Sequence, residues 1–174
     1  MSIERTLALV RYALVFAACV SAVYALIRLS RLKLHIDRPG REAALFAAVF
    51  YLAALLYVTA IRGGLSLNPG GAVNWIPGKM TVGQFRAGAW PFAYHFLGNT
   101  LWFMPLGFLL PALFRGWTLP RAALLGLAVS VGIEVAQWLF RTGSADIDDV
   151  LLNTAGTALG YAAHALLRRR RDSV

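Results

Sequence analysis

Four of the chain's eight carboxylates, Glu134, Asp146, Asp148 and Asp149, fall within sixteen residues of one another in a sequence otherwise poor in charge. Glu134 directly follows the charge-free run 122–133. If that run crosses a membrane, an ionisable side chain there costs about 2.5–3.5 kcal/mol and is a candidate functional group by default. Ser130, Glu134, Gln137 and Arg141 are spaced by 4, 3 and 4, which places them on one stripe of a helix. Asp146-Ile147-Asp148-Asp149 opens the next apolar run, and Asn153, Gly156, Gly160 and His164 continue from Asp149 at helical spacing. Carboxylates at depth are candidates for general acid/base work. Their hard oxygens also suit a divalent cation, with Glu134, Asp148 and Asp149 as the ligand set, but an Asp-x-Asp-Asp spacing alone is a weak signal for metal. Gln137, Asn153, Arg141 and, from a third helix, Asn99 would orient a polar ligand. Neither a metal nor a cofactor is expected.

A plainer reading covers the same residues. Asp148 or Asp149 suits the N-cap of a helix, where a carboxylate accepts from free N–H groups and meets the positive end of the dipole. Arg141 could neutralise them. Glu134, Gln137 and Asn153 could serve as interhelical hydrogen bonds worth about 1–2 kcal/mol each. No Ser-His-Asp set is visible, because His95 is expected on a long loop and His164 at the far end of the last helix. His35 sits among basic loop residues.

The elements that must hold these groups are membrane helices. Of 174 residues, 59% are apolar and only 14% charged, and the mean hydropathy is +0.62. A soluble domain carries about 25% charged residues, and one this short could not bury so much apolar surface in a single core. Residues 43–61, 87–114, 122–133 and 150–167 contain no Asp, Glu, Lys or Arg. The expected fold is an all-α polytopic membrane helix bundle of five spans, at 7–27, 43–61, 98–114, 122–140 and 150–167. These are roughly 25–32 Å long at about 1.5 Å per residue, enough for a bilayer core of about 30 Å. Secreted disulfide scaffolds, cytosolic enzymes and disordered tails are excluded. The single Cys19 reads as a packing residue. Arg5 and Arg11 precede an apolar run that lacks a small-residue cleavage site, so the first span is expected to be retained.

Seventeen basic residues outnumber eight acidic ones, which in a membrane protein points to topology rather than nucleic acid. Loops 28–42 and 115–121 and the tail Arg168–Arg171 carry eleven Lys and Arg, against Arg5, Arg62, Lys79, Arg86 and Arg141 on the other side, with Arg11 inside the first span. The N-terminus is therefore expected outside and the C-terminus in the cytoplasm. The arginine tail is expected to bind anionic lipid heads at about 1 kcal/mol per basic residue. Ten of the 36 residues in 62–97 are Gly or Pro, so this outer segment is read as a loop at the interface, with Trp75, Trp90, Phe92 and Tyr94 among the headgroups and a short helix near 81–88. Gly156 and Gly160 should let another helix approach closely. Pro105 and Pro111, with Gly107, should kink the third span.

Taken together, Gly98-Asn99 through Phe103-Met104-Pro105-Leu106-Gly107-Phe108, Ile133-Glu134-Val135-Ala136-Gln137, Asp146-Ile147-Asp148-Asp149-Val150-Leu151-Leu152-Asn153-Thr154-Ala155-Gly156 and Gly160-Tyr161 closely resemble the VanZ-like family. Asn74-Trp75-Ile76-Pro77 resembles that family's upstream loop motif. The resemblance covers about 45–165 and makes 43–167 a VanZ-like membrane domain, flanked by a first span with a basic loop (1–42) and a basic tail (168–174). In the family's pattern a basic residue stands three positions before the first Asp; here that position is Gly143, and Arg141 lies two residues earlier. The resemblance implies a bacterial inner-membrane protein of the cell envelope, in a family named for a member associated with resistance to the glycopeptide teicoplanin. It does not imply a reaction.

Two kinds of function follow as expectations. In the first, an outer-face polar site of Asn99, Glu134, Gln137, Arg141, Asp146, Asp148, Asp149 and Asn153 binds a membrane lipid, a lipid-linked cell-wall precursor or a lipoglycopeptide. In the second, an intramembrane enzyme works on a lipid or isoprenoid phosphate through Glu134 and Asp148/Asp149. The shortage of positive charge near these residues weighs against the second.

Overall fold

The computed structural model describes residues 3–32, 39–61 and 70–172. Five of its helices are long and apolar enough to cross a membrane: α1 (Ile3–Leu32), α2 (Pro39–Leu56), α4 (Ala89–Leu113), α5 (Leu119–Phe140) and α6 (Ile147–Asp172). A short helix α3 (Lys79–Ala87) and two short strands, β1 (Val73–Asn74) and β2 (Ala145–Asp146), complete the described elements. The protein is an all-α, multi-pass membrane protein. Lys33, His35 and Arg38 of the basic loop, and Arg62, Gly63-Gly64 and Pro69 of the long loop, lie outside the described residues.

The third helix begins earlier than its sequence suggests, at Ala89 rather than near 98. Gly88 adopts φ 130°, a conformation only glycine takes readily, and separates α3 from α4. Pro91 then falls in the first turn of α4, where its missing N–H costs nothing. The aromatic stretch assigned to a loop is therefore the first two turns of a membrane helix. Pro105 and Pro111 both lie inside α4, which runs through them to Leu113.

The chain divides into two compact units, Met1–Arg62 and Gly63–Val174. In the first, α1 packs on α2. Ala13, Ala17 and Ser21 are buried at four-residue intervals, a small-residue stripe that allows close helix approach. Phe16 meets Tyr57 with ring centroids 5.5 Å apart. Arg28 and Glu42 form a two-bond ion pair, with Nε donating to Oε2 at 3.2 Å and Nη2 donating to Oε1. α2 ends in a π-helical turn at Tyr57–Ile61, where the Thr59 hydroxyl donates to the Leu55 carbonyl.

In the second unit the tightest pairing is between α4 and α6. They lie side by side and parallel: Gly156 faces the Thr100 carbonyl, Gly160 faces the Met104 carbonyl, and Gly107 faces the Thr157 carbonyl and the Tyr161 amide. A Cβ at any of the three would collide with backbone, so here glycine is required by helix approach. The small pair seen in the sequence thus serves the third span. α5 packs on the other side of α6, with Gly126 against the fully buried Thr157. α3 lies on α4 through an aromatic row in which Phe85 meets Phe92 edge-on at 5.5 Å and Phe92 stacks on Phe96 at 5.4 Å. β1 and β2 pair in parallel, Val73 with Ala145 and Asn74 with Asp146.

Candidate functional site

The four carboxylates gather where α5 ends and α6 begins. α5 stops at Arg141, which takes a left-handed φ of 51° and donates its backbone N–H to the Gln137 carbonyl. Four residues later β2 forms, and the Asp146 amide donates to Glu134 Oε2 at 2.8 Å. Glu134 is buried, and its carboxylate closes the turn between the two helices from within.

Asp146, rather than Asp148 or Asp149, caps α6. Its Oδ1 accepts from the Asp148 amide at 2.9 Å, and Asn74 Nδ2 donates to both of its oxygens at 3.0 and 3.1 Å. The expectation that Asp148 or Asp149 is the cap is thus corrected, because the helix starts at Ile147 and its orphan amides point back at Asp146. Asp148 caps a different helix. Its Oδ1 accepts from the Gly78 amide at 2.5 Å, and its Oδ2 accepts from the Thr81 amide at 2.9 Å and the Thr81 hydroxyl at 3.0 Å. α3 has no side-chain cap of its own. A carboxylate presented from α6 instead satisfies its free amides and meets its positive dipole end.

Asp149 turns toward α4. Its Oδ1 accepts from Asn99 Nδ2 at 2.6 Å and lies 3.3 Å from His95 Nδ1. His95 is buried, and its Nε2 lies 3.2 Å from the Thr81 hydroxyl. One turn deeper, Asn153 Nδ2 donates to Ser130 Oγ at 2.8 Å and bridges α6 to α5, while its buried Oδ1 has no partner.

Asn99, Glu134, Asp146, Asp148, Asp149 and Asn153 are therefore brought together as the sequence anticipated. Two expected members are not. Arg141 is exposed and its guanidinium lies beside Gly70. Gln137 sets its side-chain carbonyl against Gly143 in the α5–β2 turn. Arg141 stands just past the last turn of α5, in the left-handed conformation that ends the helix, which directs it away from the stripe it shares in sequence.

Three members escape a sequence reading. The sequence puts His95 on a loop because its breakers suggest a start for α4 nine residues late, near 98 rather than at Ala89; its spacing of four from Asn99 within a charge-free run is the available signal. Asn74 lay in the recognised loop motif without an assigned role. Thr81 had no signal, since only the fold brings α3 to Asp148. Among the described residues no group of three or more His, Cys, Asp or Glu side chains is arranged to hold a metal ion. His95 brings a side chain with a cationic form into direct contact with Asp149.

Next to this network lies an apolar cavity of about 500 Å³ between β1, α5 and the start of α6. Trp75, Val131, Trp138 and Val150 form its walls, and Glu134 and Asp146 form its polar edge. Its size suits a ligand pocket with apolar walls and a few placed polar groups.

A sequence profile described as VanZ/LLP1 matches residues 45–168. The chain is also similar to a protein named Protein VanZ from Enterococcus faecium, 38% identical over 78 residues, which is 44% of this chain and 47% of that one. The match thus spans about half the length of that relative. No solved structure matches the chain.

Proposed function

Because the chain belongs to the VanZ/LLP1 family, we propose that it acts in the bacterial inner membrane as a cell-envelope protein that binds an amphiphilic ligand and contributes to glycopeptide (teicoplanin) resistance. The ligand class is a lipid, a lipid-linked cell-wall precursor or a lipoglycopeptide. The apolar cavity edged by Glu134 and Asp146 carries this reading. A chain of methylenes or isoprenoid units fills the space between Trp75 and Trp138, and the polar head meets the carboxylate edge. That edge is made of carboxylate acceptors, so it favours a head rich in donors, such as hydroxyls, amides or an amine. The excess of Lys and Arg at the opposite end supports an outer-face position for this end of the bundle, where such ligands are met.

Native mass spectrometry of the gently purified protein tests the reading. Wild type should carry a defined lipid-tailed species. Glu134→Gln, which keeps an acceptor for the Asp146 amide, and Val131→Trp, which fills the cavity, should both lose it. Only bulk phospholipid in all three preparations would refute the binding site.

A second reading, an intramembrane enzyme, is favoured by one observation. The Thr81 hydroxyl, the His95 ring and the Asp149 carboxylate contact one another in sequence, at 3.2 and 3.3 Å, the order of a hydroxyl, a base and its orienting acid. The same hydroxyl also donates to Asp148, which competes for the proton that such a base must take. Hydrolysis of a lipid ester or phosphate by wild type and its loss in His95→Gln, with unchanged melting, would establish the enzyme.

A further inference from the structure

The short helix α3 is fixed in depth at both ends. At its start the Asp148 carboxylate of α6 accepts from the Gly78 and Thr81 amides. At its end Gly88 alone separates Ala87 from Ala89, where α4 begins. α4 and α6 are both long and apolar enough to cross a membrane, and they start side by side at this end of the bundle. α3, about 13 Å long at 1.5 Å per residue, therefore runs along the level at which membrane helices begin. Its Phe85 meets Phe92 in the first turn of α4, and Phe92 stacks on Phe96 one turn deeper.

Only one face of α3 is occupied by these contacts. Met80, Thr81 and Gln84 are half-buried on the inward side. Lys79, Val82, Gly83 and Arg86 fall at i, i+3, i+4 and i+7, which places them on one stripe, and all four are exposed. Phe85 flanks that stripe and is 68% exposed, and Ile76, just before the helix, is 60% exposed. Two cations and three large apolar side chains thus stand together on one short segment. From residue 43 through residue 133 the sequence has no Asp or Glu, and Asp148 meets α3 on its inward side, at Thr81. Ile76, Val82 and Phe85 gain by leaving water, while Lys79 and Arg86 must keep a polar or anionic neighbour. A membrane interface meets both needs, because Lys and Arg lay their stems along apolar surface and extend their charged heads to the phosphates.

We propose that this segment is a binding surface for the anionic phospholipid heads of the adjoining leaflet, with Lys79 and Arg86 on phosphate and Ile76, Val82 and Phe85 among the upper acyl chains. A lipid surface fits better than a soluble anion, because Val82 stands between the two cations on the stripe and would remain in water beside a free ion. The sequence suggests only that this stretch lies at the interface; the fold selects the side chains that meet the lipid and gives the face its preference for negative charge. The cavity beside Glu134 has no part in the argument, since none of these five side chains lines it.

Hydrogen exchange of the full chain tests the proposal, in nanodiscs of phosphatidylcholine alone and in nanodiscs with about 30% phosphatidylglycerol. The attraction of two basic residues to anionic lipid should slow exchange over 79–87 by about tenfold when phosphatidylglycerol is present, with the middle of α5 and α6 unchanged. Lys79→Gln/Arg86→Gln should exchange like wild type in phosphatidylcholine, which checks the fold, and should lose the slowing. Lys79→Arg/Arg86→Lys keeps both charges and should retain it. Gly83→Glu sets a carboxylate on the stripe, where a side chain meets open space, and should abolish the slowing, whereas Gly83→Gln should not. Equal exchange of wild type in the two lipids would overturn the proposal. So would a slowing that survives both Lys79→Gln/Arg86→Gln and Gly83→Glu, or one that millimolar inorganic phosphate produces in phosphatidylcholine alone.

Discussion

At its N-terminal end α6 presents Asp146, Asp148 and Asp149 already engaged by Asn74, the first amides of α3, and Asn99 with His95. At its C-terminal end Tyr161, His164 and Arg168 stand around an open cavity. The carboxylates look in sequence like the reactive part of the molecule and the arginines like a simple anchor. In the fold, most of the carboxylate oxygens serve as acceptors that fasten α3, β1 and α4 to the head of α6, and Glu134 stands beside an apolar cavity. Charge concentrated in sequence does not by itself mark an open site, because buried carboxylates must be satisfied and here the satisfying partners come from the chain itself.

Substitutions at each end of α6 test this contrast. The largest effect is expected from Gly107→Leu or Gly160→Leu, which drive a side chain into the backbone of the partner helix. Overpacking costs about 1–3 kcal/mol where neighbours can shift; here the obstacle is the backbone of the partner helix, so the α4–α6 pairing itself should be lost, and loss of folded protein on gel filtration in detergent would report it. Asp148→Ala should come next, since it strips three bonds from the start of α3, each worth about 1.5–3 kcal/mol when the acceptor is charged. Faster hydrogen exchange confined to 75–88, with α5 and α6 still protected, is the expected signature. Unchanged exchange would show that α3 is held by its aromatic row alone.

Glu134→Ala should cost about 1–3 kcal/mol, because it leaves the Asp146 amide without an acceptor. Glu134→Gln should melt within about 1 kcal/mol of wild type, since an amide oxygen can take over that bond, yet should lose the ligand. If both variants lose the same stability and both keep the ligand, Glu134 belongs with the structural carboxylates. The smallest effect is expected at Arg141, where Arg141→Ala on an exposed position should change melting by less than about 0.5 kcal/mol.

Much of this was legible in the residues. The charge-free runs gave five spans, and Glu134, Asp146, Asp149 and Asn153 were placed at one end of two adjacent helices by spacing alone. The start of α4 was missed because Gly88 and Pro91 look like breakers, whereas one ends α3 and the other fits a first turn. Arg141 was assigned to the carboxylates because it shares a stripe with Glu134, but the left-handed turn at its own position carries it elsewhere. Asp148 was read as a local cap because local capping is what a sequence window can see.

Hydropathy and motif spacing are enough to read a multi-pass helical membrane protein of the VanZ/LLP1 family whose polar groups gather where its last two spans meet. Those properties follow from hydropathy and from helical periodicity, both of which act over a few turns of one chain segment. The tertiary structure decided which carboxylate caps which helix, that His95 and Thr81 join the network, and that an apolar cavity lies beside Glu134. Each of these depends on hydrogen-bond partners and walls supplied from up to about seventy residues away, and short-range patterns carry no information about such pairings.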